Sequence, residues 1–139
     1  MKVYYFSEFP YHEYPDEEGD KYPSLRLTFP NSYFDPNLAN GLFQRYFDEC
    51  QYADELGYHG IMVNEHHNNA YGIMPSPNLM AATLTRRTSN AAITVLGNSL
   101  ALYNPPMREA EEFAMLDCAS GGRLVAGFPV GTSMDTNYA

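Results

Sequence analysis

Two adjacent histidines, His66 and His67, follow Glu65, which lies two residues beyond the short apolar run 60–63. The run predicts a buried strand, so the three titratable side chains stand at its carboxyl end. Histidine is the natural choice for a group that moves a proton near pH 7. The motif therefore predicts acid–base chemistry, or hydrogen bonding to a ligand, at this strand end.

Two other interpretations of the motif stay open. In a metal site, at most two of the three side chains could reach one ion, because neighbours on an extended backbone point to opposite faces. No HExxH pattern is present, and we predict no metal. In a purely structural role, the imidazoles would hydrogen-bond to loop backbone.

Four short apolar runs predict strands, and three stretches with helical spacing separate them. Each helical stretch opens with a polar residue followed by proline, which is typical of a capped helix start. The strand candidates are 3–6, 60–63, 92–96 and 124–128, and the helix starts are Asp35-Pro36, Ser76-Pro77 and Asn104-Pro105. The order βαβαβαβ predicts an α/β fold with a parallel sheet and right-handed crossovers.

Two architectures fit this order: a small doubly wound sheet, or the N-terminal half of a (β/α)8 TIM barrel. A complete barrel needs ~250 residues, and the chain has 139. In both architectures ligands bind at the carboxyl ends of the strands. That rule selects four segments for the site, namely 7–8, 64–67, 97–100 and 128–133.

A long loop, about 8–35, follows the first strand candidate. It far exceeds the ~2–6 residues usual in a βα loop, which is typical of a functional lid or an ornamental insertion. Its many aromatic residues argue against disorder, because aromatic rings seek burial. The glycine-rich segment 127–133 could offer N–H groups and the hydroxyls of Thr132 and Ser133 to an anion, although a plain turn is the simpler interpretation.

Composition excludes several classes of function. A net charge of −9 makes a phosphate-tracking nucleic-acid binder or an anionic-membrane binder improbable. No run approaches the ~18 apolar residues of a membrane span. Two cysteines cannot form a disulfide framework, and GxGxxG and GxxxxGK are absent. The expectation is a soluble protein of a reducing compartment, the cytoplasm.

Five motifs, in this order and spacing, resemble the N-terminal half of the bacterial luciferase-like flavin-dependent monooxygenases. They are VNEHH, PNLMAA, TVLGNS, NPPMREAEE and LDCASGGRL, which begin at residues 63, 77, 94, 104 and 116. The resemblance runs from Lys2 to the end of the chain and is interrupted by the long loop before Asp35. It implies one partial barrel domain over 1–139.

The resemblance also implies an activity. Enzymes of this family bind reduced FMN, supplied by a separate flavin reductase, and some branches bind a deazaflavin, which we expect less here. They oxidise a small organic substrate with O2 through a reduced-flavin peroxide. A homo- or hetero-oligomer is implied as well. The alternative is a truncated, non-catalytic half-barrel or assembly subunit of the same fold, and an unrelated small doubly wound binding domain is a third hypothesis.

Residue by residue, the resemblance makes His66 catalytic, with Glu65 and Asn64 as support. It places the family's non-prolyl cis peptide at Gly97-Asn98, counted back from the helix-three glutamate, which matches Glu111. Where the luciferase pattern has a cysteine and a phosphate-binding arginine, this chain has Pro129 and Val130. The cofactor-binding residues it implies are Glu65, Gly97, Asn98, Ser99, Leu100, Thr132 and Ser133.

Overall fold

The computed structural model describes residues 1–68 and 70–131, in which four parallel strands alternate with helices. The strands are β1 Tyr4–Phe6, β2 Gly60–Val63, β3 Ala92–Leu96 and β4 Leu124–Gly127. The α-helices are α1 Asp16–Gly19, α2 Pro36–Glu55, α3 Pro77–Arg87 and α4 Met107–Ser120. The predicted order βαβαβαβ is confirmed, with the short α1 added inside the long loop after β1.

Two of the three predicted helix starts lie where the sequence places them. Asp35 accepts a hydrogen bond from the N–H of Asn37 at 2.7 Å and caps α2, and Ser76 caps α3. The third helix begins at Met107, three residues after Asn104. The reason is that Asn104 and Pro105 each precede a proline, which disfavours helical backbone. Within the described ranges, no helix is long and apolar enough to cross a membrane.

The sheet has the order β1-β2-β3-β4, and its two faces are very different. One face carries Ile61, Val63 and Ile93, which are buried against the helices. On the opposite face Phe6, Leu96 and Val125 are 44–47% exposed. In a closed barrel that face would point inward. The strands are apolar on both faces, so this chain leaves apolar surface uncovered.

The long loop after β1 is folded onto the molecule. Phe9 is buried and stacks on Tyr46 of α2, with ring centroids 4.7 Å apart. The loop also pairs with the segment after β2, because the N–H of Tyr11 donates to the carbonyl of Ala70 and that of Ile73 to Phe9. Its aromatic residues thus fix the loop beside the strand ends.

The opposite end of the sheet is held by a buried carboxylate, Asp54 at the end of α2. It accepts hydrogen bonds from the N–H groups of Ser89, Asn90 and Ala91 at 2.8, 3.0 and 2.5 Å. Burial alone would raise the pKa of Asp54, but these donors and the nearby Arg123 charge outweigh it and lower the pKa.

We predict that Asp54→Asn lowers the free energy of unfolding by about 1.5–3 kcal/mol, because an amide cannot accept all three bonds. Urea titration at pH 7 measures this. The wild-type contribution is present above the unfolded-state pKa of ~3.9 and is lost as pH falls through the lower folded pKa. Asp48→Asn, an exposed carboxylate on the same helix, is the control. Equal urea midpoints for wild type and Asp54→Asn would contradict the prediction.

We also predict that the 139-residue chain self-associates through the uncovered sheet face. Among the described residues β1 pairs with β2 alone and β4 with β3 alone, so two strand edges accompany the exposed apolar surface. Sedimentation velocity should show concentration-dependent association. Val125→Lys on this face should weaken it, whereas Tyr52→Lys on the exposed surface of α2 should not. A monomer at all concentrations would refute the prediction.

Candidate functional site

The carboxyl ends of the strands surround a cavity of about 280 Å³. All four strand ends contribute to its wall, as the parallel topology requires. The wall combines charged, polar and apolar groups, which are Phe6, Glu8, Arg26, Asn64, Glu65, His66, Leu96, Gly97, Ser99, Pro129, Val130 and Gly131.

A larger cavity of about 430 Å³ lies on the outer side of His66, beside Phe43 of α2 and Ile73. Its wall is mainly apolar and takes nothing from the ends of β1, β3 or β4. The smaller cavity is the better candidate site, because in parallel α/β folds ligands bind where several strand ends converge.

The Glu65 carboxylate is buried and ties the end of β2 to the segment after β3. One oxygen, Oε2, accepts from the N–H of Ser99 at 2.9 Å. The other, Oε1, accepts from the hydroxyl of Tyr103 at 2.7 Å and lies 2.8 Å from Nε2 of His67. Burial and this carboxylate raise the pKa of Tyr103, which keeps its hydroxyl a donor. Glu65 thus lines the cavity, and its two oxygens connect the end of β2 to the segment after β3.

The His66 ring is 6% exposed and is fixed by its neighbours. Its Nε2 lies 3.5 Å from Nδ2 of Asn64 and 3.9 Å from a carboxylate oxygen of Glu8. Asn64 and Glu8 both line the cavity. The ring meets Tyr71 edge-on, with centroids 5.5 Å apart. A Cβ on Gly72 would lie 2.3 Å from Nδ1, so only glycine fits behind the ring. His66 therefore has one rigid orientation.

His67, in contrast to His66, is absent from the cavity wall. It is partly exposed and contacts Glu65 instead. The two histidines thus have different surroundings, and they can be tested separately.

The segment after β3 is where the structure departs most from the sequence-based expectations. Gly97 and Ser99 line the cavity, but the buried Asn98 and the exposed Leu100 are absent from its wall. Among the described residues the non-prolyl cis peptide is Leu96-Gly97, so the expected Gly97-Asn98 position is wrong by one residue. The N–H of Asn98 donates to the carbonyl of Gly127, so the hydrogen bonds between β3 and β4 continue past the cis peptide.

The side chain of Asn98 turns toward the helices instead. Its Nδ2 donates to Oδ1 of Asn78 at 3.0 Å and also to the carboxylate of Glu109. Glu109 is buried, whereas Glu111, on which the sequence reasoning relied, is exposed. Helical spacing could have shown this, because Glu109 opens the buried stripe that continues with Phe113, Leu116 and Ser120.

Sequence reasoning also missed Arg26 and Tyr71. Tyr71 donates its hydroxyl to Glu8 at 2.5 Å, and the Arg26 guanidinium lies 4.8 Å over the Tyr71 ring. Arg26 Nη2 also donates to the Tyr71 hydroxyl at 3.2 Å. No sequence pattern marks these residues, because only the folded long loop brings Arg26 to the cavity wall and Glu8 into contact with Tyr71. The predicted Thr132 and Ser133 lie outside the described residues.

Comparison with known proteins bears on the family and the fold of the chain. The model of the family "Luciferase-like monooxygenase" matches residues 34–137. The oxygenase component of the flavin-dependent trigonelline monooxygenase of Acinetobacter baylyi is 34% identical over 97 residues, which are 70% of this chain and 27% of that protein. The alkanal monooxygenase beta chain of Vibrio harveyi is 30% identical over 108 residues, which are 78% of this chain and 32% of that protein.

Solved structures show the same fold. The oxygenating constituent of 3,6-diketocamphane monooxygenase from Pseudomonas putida, in complex with FMN, superposes with a TM-score of 0.72 at 16% identity, over 99% of this chain and 32% of that one. Monooxygenase RslO1 from Streptomyces bottropensis gives 0.70 at 27% identity, over 99% and 36%.

The chain spans about one third of the length of these relatives. Its four strands correspond to part of a (β/α)8 barrel, and the predicted fold class is confirmed. The expected resemblance is confirmed by both the family match and the relatives. The chain belongs to the luciferase-like monooxygenase family.

Proposed function

We propose that this chain forms one wall of the active site of a flavin-dependent monooxygenase that oxidises a small organic substrate with O2. The observation that carries the proposal is the position of His66: it is a rigid, buried imidazole whose Nε2 lies among polar groups of the strand-end cavity. His66 is the proposed catalytic residue.

The residues of the wall suit a flavin. Phe6, Leu96 and Val130 offer apolar surface to a flat ring, and Ser99 offers a hydroxyl to its polar edge. Oδ1 of Asn64 is buried without a hydrogen-bond partner among the described residues, so it is ready to accept from a ligand N–H. Small-molecule sites usually measure ~300–1,000 Å³. The cavity of about 280 Å³ lies just below this range, as expected if the described residues form only one side of a larger site.

A bound reduced flavin would supply the electrons with which O2 is activated. The residues of this chain then have three tasks. Gly97, Ser99 and Asn64 bind and orient the ring, together with the segment that Glu65 holds. His66 holds or moves a proton at Nε2, where the Glu8 carboxylate 3.9 Å away would stabilise the protonated ring. Phe6 and Leu96 exclude water.

FMN is the proposed cofactor, reduced by a separate flavin reductase, in preference to a deazaflavin. The support is that one relative is named an oxygenase component and that a structural neighbour was solved with FMN. Arg26, which lines the cavity, would bind the phosphate. Thr132 and Ser133 are proposed for the same role from the sequence alone. A cytoplasmic location and an oligomeric state belong to the same proposal.

The second candidate function is a non-catalytic half-barrel or assembly subunit of this fold. The uncovered sheet face favours it, as do the two strand edges that have no partner strand among the described residues, because together they offer a large surface to a partner. The two candidates differ in one simple property: the first binds flavin and the second does not.

We predict that FMN titration of the chain, followed by flavin fluorescence, gives saturable binding weaker than about 1 µM, because one wall holds only part of the cofactor. His66→Ala should bind FMN nearly as well. In a complete barrel that carries this segment, the same variant should lower the oxygenation rate by ~10²–10⁴-fold, the usual contribution of a general acid or base.

His67→Ala is the matched control, because its ring lies outside the cavity wall and contacts Glu65. It should lower oxygenation much less than His66→Ala. Equal losses in the two variants would contradict the role of His66. No FMN binding by the wild-type chain would favour the non-catalytic half-barrel.

A further inference from the structure

A buried polar cluster lies behind the segment 97–99, between that segment and helices α3 and α4. It consists of Asn98, Asn78 and Glu109, and the Glu109 side chain is only 1% exposed. Asn98 Nδ2 donates to Asn78 Oδ1 and to Glu109 Oε1. Asn78 Nδ2 donates to Glu109 Oε1 at 2.8 Å and to Glu112 Oε2 at 2.9 Å. The cluster thus connects the cavity wall to two helices.

Two buried acceptor atoms of this cluster receive no hydrogen bond. Among the described residues, Oδ1 of Asn98 and Oε2 of Glu109 have no hydrogen-bond partner. Two unsatisfied acceptors destabilise a buried cluster, because each has lost its hydration without gaining a donor. A proton on Oε2 would remove the charge from this unsatisfied carboxylate and so reduce the cost of burying it.

The charges around Glu109 favour its neutral form as well. Glu112 on the same helix shares Asn78 with it, and Arg108 contacts Glu112 at 3.0 Å. Glu65 faces the cluster from the end of β2 and carries the contacts to Tyr103 and His67. Burial raises the pKa of Glu109, the Asn78 bond opposes this, and the charges of Glu112 and Glu65 add to the rise.

We propose that Glu109, in its protonated form, is a positioning residue that holds Asn98 and thereby the segment Gly97–Ser99 in the cavity wall. One consequence is that flavin affinity depends on this proton, and this part rests on the proposed function. As pH rises through the pKa of Glu109, the proton leaves to solvent and a charge is buried beside Glu112 and Glu65. The segment then loosens, and flavin binding weakens.

Glu109→Gln separates this role from a merely structural one. Glutamine keeps an acceptor oxygen and places an N–H donor where the protonated acid would have its O–H. It therefore imitates the neutral acid at every pH. Glu111→Gln, the same substitution at an exposed position two residues along the helix, is the matched control.

The first measurement is hydrogen exchange by mass spectrometry on the full chain without flavin, from about pH 4 to pH 8. We expect the protection factors of the Asn98 and Ser99 amides to fall with rising pH in wild type and Glu111→Gln. The fall should be about tenfold for each unit by which the pKa of Glu109 differs between the closed and open segment. In Glu109→Gln the protection factors should stay constant. The same fall in Glu109→Gln, or none in wild type, would overturn the proposal.

The second measurement is the dissociation constant of FMN over the same pH range. We expect it to rise with pH in wild type and Glu111→Gln and to stay flat in Glu109→Gln. A parallel rise in all three proteins would overturn the link between this proton and the flavin wall. If no protein binds FMN at any pH, the proposed function fails, and the exchange measurement still decides whether Glu109 positions the segment.

Discussion

The site depends on the buried carboxylate of Glu65. A buried charge is tolerated only when hydrogen bonds replace its hydration, and here the Ser99 N–H and the Tyr103 hydroxyl both donate to it. These donors come from the segment after β3, while Glu65 itself belongs to the end of β2. One side chain therefore sets the distance between two strand ends. Because His66 is the next residue along the chain, its position follows from the same constraint.

The second constraint is that the chain forms only part of a barrel. Its relatives are about three times as long, and its sheet face that would point into a barrel is half exposed. Two networks of buried polar groups nevertheless stiffen this part: Asp54 under the loop before β3, and Asn98 with Glu109 behind the loop after it. The wall of the site can thus be ordered before the rest of the pocket is present.

Local patterns in the sequence predicted most of the fold. Asp35 and Ser76 before prolines gave two helix starts, because capping depends on adjacent residues. The position of His66 at a strand end also followed from local sequence. The direction of Asn98, the burial of Glu109 and the approach of Arg26 could not be predicted in this way, because each depends on contacts between residues far apart in the chain. The cis peptide, placed at Gly97-Asn98 by a count back from Glu111, lies one residue earlier, at Leu96-Gly97.

The most direct test of the Glu65 constraint is a double-mutant cycle on the free energy of unfolding, made with Glu65→Ala, which removes both acceptor oxygens, Tyr103→Phe and the double variant. The account predicts that the two positions are coupled, by about 1.5–3 kcal/mol, as for a buried hydrogen bond to a charged group. Effects that add to within about 0.5 kcal/mol would show that the two residues act independently. That result would contradict the account that Glu65 joins the two strand ends.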